Sequence, residues 1–124
     1  MPAHVVLDAT AMLAIGRGNL LGSRLIVHAG QPGGPRVYAP TCALVEADRI
    51  RRGVAEHIAS LPGVLMVDLD LSAALAVARD ETWAAAHIRH TAGPMPHRPV
   101  AAVVATAAPE NWEGERVELM NLAA

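Results

Sequence analysis

The 124-residue chain has no lysine, no phenylalanine, one cysteine and only three aromatic side chains, Tyr38, Trp83 and Trp112. Each shortage removes a class of function. Without lysine there is no Schiff-base amine and no phosphate-gripping lysine of a P-loop. Cys42 alone can form neither an internal disulfide nor a cysteine-rich zinc site, so stability has to come from packing. Three scattered aromatics cannot build a sheet that stacks successive RNA bases on paired rings. No apolar run reaches the roughly 20 residues of a membrane-spanning helix, and the longest, near Val100 to Ala108, contains Thr106. The amino terminus lacks a basic stretch and Asp8 interrupts the apolar part of any signal peptide, so the chain is expected in the cytoplasm, with no membrane partner. Twelve acidic residues against ten basic ones, all arginine, leave a formal charge of −2. That balance provides no global basic field, and any nucleic-acid contact has to be local.

What is present is a chain 52% hydrophobic and 18% charged, which predicts a single domain over residues 1–124 with one compact core. His4 to Leu7 reads as a strand ending at Asp8, followed by a helix over Ala9 to Ile15. A second helix is expected over Asn19 to Ala29 with Asn19 as its cap, then a break from Gly30 to Pro35 and a strand over Arg36 to Ala39. Pro40 and Thr41 open a helix to about Arg52, closed by Gly53, and Val54 to Ser60 makes a short helix. Val64 to Leu69 is the clearest strand. Ser72 is expected to start the longest helix, interrupted around Asp80, Glu81 and Thr82 and resumed from Trp83 to His90. Strands over Val100 to Ala105 and Arg116 to Leu122 complete the pattern. Strands alternating with helices predict an α/β fold, with a central parallel sheet of four to five strands. Ligands of such sheets gather beyond the carboxyl ends of the strands, which directs attention to Asp8 and Thr106.

Taken singly, the acids have ordinary readings. Asp8 suits the cap of the first helix, Glu46 a solvated helix face, and Asp80 and Glu81 an exposed bend or a fresh N-cap. Arg49, Arg51 and Arg52 suit a helix C-terminus, with contacts to substrate phosphate as the functional alternative. His87, His90 and His97 read as surface histidines, with a zinc site as the weaker reading.

Their order along the chain carries more. Val5-Val6-Leu7-Asp8-Ala9-Thr10-Ala11, Leu44-Val45-Glu46-Ala47, Trp83-Ala84-Ala85-Ala86-His87 and Val103-Val104-Ala105-Thr106-Ala107-Ala108-Pro109 together resemble the PIN-domain family. More narrowly they resemble the VapC-type toxins of type II toxin–antitoxin pairs and their compact PIN-like relatives. The likeness spans the whole chain and implies a PIN-like three-layer α/β/α fold. It further implies a metal-dependent ribonuclease in which carboxylates at the strand tips hold Mg²⁺ or Mn²⁺ against RNA. By that likeness Asp8, Glu46 and Glu81 are the catalytic acids, and Asp8, Glu46, Asp80 and Glu81 the candidate metal ligands. Thr10 and Thr106 would orient metal-bound water, and a cognate antitoxin is the implied protein partner. Two positions depart from the pattern: Thr82 stands where the third acid is expected, just after Asp80 and Glu81, and Ala108 where the fourth is expected. Fewer carboxylates hold a divalent ion less well. Weakened or lost cleavage is therefore expected, and the alternative is a catalytically inactive PIN-like protein that binds RNA or a protein. An unrelated α/β interaction domain is the third reading. PIN toxins are commonly dimers, so a homodimer is expected too, with an interface on the early helices at Met12, Leu21 and Leu25.

Overall fold

The computed structural model describes residues 2–80 and 82–123. Five strands form one parallel sheet: β1 (His4–Leu7), β2 (Arg36–Pro40), β3 (Val64–Val67), β4 (Val103–Thr106) and β5 (Leu119–Asn121), in the order β3-β2-β1-β4-β5. Among the described residues six α-helices lie between the strands from β1 to β4: α1 (Ala9–Gly16), α2 (Leu20–Ala29), α3 (Thr41–Ile50), α4 (Val54–Ala59), α5 (Leu71–Ala78) and α6 (Ala84–Ala92). The result is the expected α/β architecture, a parallel sheet flanked by helices. Because parallel neighbours need crossovers of one hand, the connections from β1 out to β3 and the return from β3 to β4 cover opposite faces. Central strands enclosed on both faces should be apolar throughout, and Val5, Val6, Leu7, Val103, Val104 and Ala105 are all buried.

The sheet order makes β1 and β4 the place where the chain changes direction. Val5, Val6 and Leu7 pair with Val103, Val104 and Ala105, so Asp8 and Thr106 emerge side by side at the carboxyl edge. The first strand is thus central, as the strand-end placement of these two residues predicts.

Several boundaries differ from the sequence reading. Asp70, rather than Ser72, caps α5 by accepting the Ala73 N–H at 2.8 Å, and α5 and α6 are separate helices of 8 and 9 residues. The strand expected from Val100 begins only at Val103. The buried Arg98 explains the delay: its guanidinium donates to the carbonyls of Thr91, Gly93 and Val100 and lies 5.5 Å from the centre of the Tyr38 ring. These bonds hold the 93–102 segment as a loop. The last strand is also shorter than expected, confined to Leu119–Asn121.

Two of the three residues expected at a dimer interface are not on the surface of the early helices. Met12 and Leu25 are fully buried inside the chain's own core, and of the three residues only Leu21 reaches the surface. A helix as apolar on every side as α1 is interior, with no spare face for a partner.

Two glycines fix how the chain packs against the end of α2. Gly63 has φ +81°, and a Cβ there would lie 2.3 Å from the Ala29 carbonyl oxygen; one at Gly34 would overlap the His28 carbonyl. Gly63→Ala combines left-handed strain with a backbone clash, so a loss of about 2 kcal/mol or more is expected in chemical denaturation. An unchanged unfolding free energy would contradict this packing.

Candidate functional site

Asp8 follows β1 directly and continues its pairing, donating its N–H to the Ala105 carbonyl at 3.1 Å. Its backbone is extended while Ala9 begins α1, the geometry of an N-cap. The side chain is 4% exposed, so its charge needs nearby donors. Oδ1 accepts the Ala11 N–H at 2.8 Å and the Thr10 hydroxyl at 2.7 Å. Oδ2 accepts the indole N–H of Trp112 at 2.9 Å. Capping was the ordinary reading of this aspartate, and the structure adds a third bond from a residue 104 positions away.

Thr10 and Thr106 continue the network. Since the Thr10 hydroxyl spends its proton on Asp8, its 3.0 Å contact with the Thr106 hydroxyl requires Thr106 to donate. Thr10 also accepts the Ala107 N–H at 2.9 Å, and Thr106 accepts the Ala108 N–H at 3.0 Å. Both hydroxyls therefore join the end of β4 to Asp8, which leaves them little capacity to orient a water. Ala108 stands as the N-cap of the 3-10 helix Pro109–Trp112, which delivers the indole to Asp8.

Glu46 projects from an exposed position on α3. It lines, together with Asp8, Thr10, Ala84, Asn111 and Trp112, a small pocket of about 70 Å³. The structure therefore brings the first two candidate acids to one cavity. Asp80 is placed elsewhere: its carboxylate accepts the Thr82 N–H and hydroxyl, both at 3.0 Å, and pairs with Arg89 at 2.6 Å. The Thr82 N–H foremost, and then the Arg89 and Thr82 side chains, hold its carboxyl down at about 2. Arg89 also reaches Glu115 at 3.1 Å, which fixes Asp80 in a surface network. Glu81 lies outside the described residues. Among the described residues, no group of three or more histidine, cysteine, aspartate or glutamate side chains is placed to hold a metal ion.

A larger groove of about 580 Å³ adjoins this pocket, sharing Glu46 and Ala84 with it; Thr41, Cys42, Val45, Arg49, Ile50, Leu69 and Trp83 complete its walls. Arg51 and Arg52 are exposed just past the end of α3. Burial pushes the Cys42 thiol up from its ordinary value, which leaves it a poor nucleophile at neutral pH.

Two residues escaped the sequence reading. Trp112 was dismissed with the other aromatics, although a buried indole N–H demands an acceptor and so points to a polar partner. His87, read as a surface residue, is fully buried. The spacing Ala84, His87, Ile88, Thr91 on one face of α6 carried that signal. Its Nδ1 accepts the Cys42 N–H at 3.3 Å, which places the proton of the neutral ring on Nε2. His90 is half-buried and His97 exposed.

Compared with known proteins, the chain matches no family model, and no curated protein is significantly similar to it.

Burial lowers the pKa of His87 below the ordinary 6.5, with Asp68 and Asp70 opposing the shift and His90 adding to it. The unfolded chain then binds this proton first, so His87 makes stability fall as pH drops below 6.5. Chemical denaturation across pH 5 to 8 is expected to show that slope (roughly the histidine range), and His87→Leu to reduce it whatever its effect at neutral pH. An identical slope in the variant would contradict the buried neutral histidine.

Proposed function

We propose that this chain is a PIN-like protein that binds RNA and whose acidic site is too depleted for robust metal-dependent cleavage. One observation carries the reading: the Asp8 carboxylate accepts three hydrogen bonds from within the fold, from Ala11, Thr10 and Trp112. A carboxylate offers about four lone-pair directions, so Asp8 retains room for one further bond at most. A divalent ion such as Mg²⁺ or Mn²⁺ needs several unshared oxygen ligands. Asp8 is engaged, Asp80 is neutralised by Arg89, and Ala108 supplies no oxygen from its side chain, so these residues do not fit a tightly held ion.

Support for RNA as the ligand comes from the surroundings. The pocket lies beyond the carboxyl ends of β1 and β4, at the point where the sheet changes direction, a recurrent place for ligands in α/β folds. Arg49 borders the adjoining groove, where a phosphate would find a counter-charge, and Arg51 and Arg52 are exposed just past the end of α3. The order of residues that resembles the PIN family favours RNA over an unrelated partner. A toxin role with a cognate antitoxin and a homodimer belongs to the same likeness, and no contact in the fold adds to it.

Two measurements test the reading together. Incubation of single-stranded RNA with the protein over a titration of Mg²⁺ and Mn²⁺ is expected to show binding with little or no cleavage. Trp112→Phe removes the donor to Asp8 Oδ2, which is expected to cost about 1.5–3 kcal/mol of stability while raising Mn²⁺ affinity in calorimetry. Vigorous Mg²⁺-dependent cleavage by the unaltered protein, abolished in Glu46→Gln, would replace this reading with that of an active nuclease.

A further inference from the structure

Trp83 is 74% exposed, although indole is among the costliest side chains to leave in water. It stands at the N-cap of α6 without a side-chain capping bond, so its position is not explained by helix termination. Its ring lines the groove of about 580 Å³ beside the Asp8–Glu46 pocket. Val45, Ile50 and Leu69 form the apolar part of the same groove and are themselves 51%, 68% and 38% exposed. Arg49 and Thr41 supply its polar groups, and Glu46 and Ala84 are common to groove and pocket.

We propose that this groove is a nucleobase subsite: an unpaired base of single-stranded RNA stacks on Trp83 against the aliphatic wall of Val45, Ile50 and Leu69, while Arg49 meets the flanking phosphate. Proteins that take a base out of its stack hold it between aromatic and apolar side chains, which is the composition of this groove. Stacking on one ring tolerates any base, because every base has a π-face. It also needs no paired aromatics, so the scarcity that excludes an RNA-binding sheet does not exclude a single clamp. Arg49, the one arginine of the groove's lining, offers a flanking phosphate its counter-charge, while the one carboxylate, Glu46, stands where the groove meets the small pocket. The shared Glu46 means that a strand seated by its base on Trp83 passes its backbone across the mouth of the acidic pocket. The inference rests on the RNA-binding reading and adds to it where the strand is gripped and that the strand must be unpaired.

The test uses the intact protein in EDTA, so that binding is read without cleavage, with single-stranded oligoribonucleotides and the matching duplex as probes. Single strands are expected to bind and to quench the fluorescence of Trp83, while duplex binds weakly. Trp83→Ala is expected to weaken binding by about 5- to 100-fold. Trp83→Phe should keep affinity within a few-fold but lose the quenching, since only the buried Trp112 remains. Arg49→Gln should reduce the salt dependence by about one phosphate contact. RNA binding that Trp83→Ala leaves unchanged would overturn the subsite while sparing the RNA-binding reading. No binding of RNA by the unaltered protein would overturn both. Concentration-dependent self-association in sedimentation, lost in Trp83→Ala, would assign the groove to a second copy of the chain and overturn the nucleobase proposal.

Discussion

The carboxylate of Asp8 is the constraint around which the upper edge of the sheet is organised. It closes β1, caps α1, draws in Thr10 and through it Thr106 at the end of β4, and anchors the indole that follows β4. A buried charge with so little exposure is tolerable only where donors surround it, and removing one donor leaves the remainder exposed to the cost of desolvation. The segment that follows β4, from Ala107 to Trp112, holds only the single 3-10 turn Pro109–Trp112. Its placement depends on bonds to Thr10, Thr106 and Asp8.

This dependence also shapes chemistry. A metal ligand and a structural hub place opposite demands on one carboxylate, because the first needs oxygen lone pairs free and the second uses them. In this chain the second demand is met. Glu46 remains the more available acid, exposed on α3 and bordering both the small pocket and the larger groove. The same helix also carries Arg49, so α3 sets both the acidic and the basic side of the cleft.

Local features were legible in the sequence and distant pairings were not. Asp8 and Asn19 announced themselves as caps because each precedes a helical run, and both cap bonds are present. The parallel sheet followed from the alternation of strands and helices, and the central place of β1 from the strand-end residues. The partner of Asp8 could not be read the same way, since nothing local links residue 8 to Trp112. Met12 and Leu25 were assigned to an interface because hydrophobic residues in a short chain suggest association, whereas both side chains, from α1 and α2 respectively, fill the chain's own core. The start of β4 was misjudged because Val100 to Ala102 is apolar like a strand; only the folded position of Arg98 shows why it is loop. At the site, the sequence brought forward Asp8 and Glu46, which do share a pocket, and Asp80, whose Arg89 partner lies on the next helix.

The central claim is that Asp8 serves the fold through Trp112 rather than standing open to a cation. The chain has two indoles, one buried and one exposed, which makes their N–H resonances a direct reporter in a ¹H–¹⁵N spectrum. The account predicts one indole N–H that is strongly protected from solvent exchange, is lost in Trp112→Phe, and keeps its position throughout a Mg²⁺ titration. A Trp112 indole that exchanges freely, or that shifts to a new position as Mg²⁺ is added, would show that Asp8 is released for the metal and would contradict it.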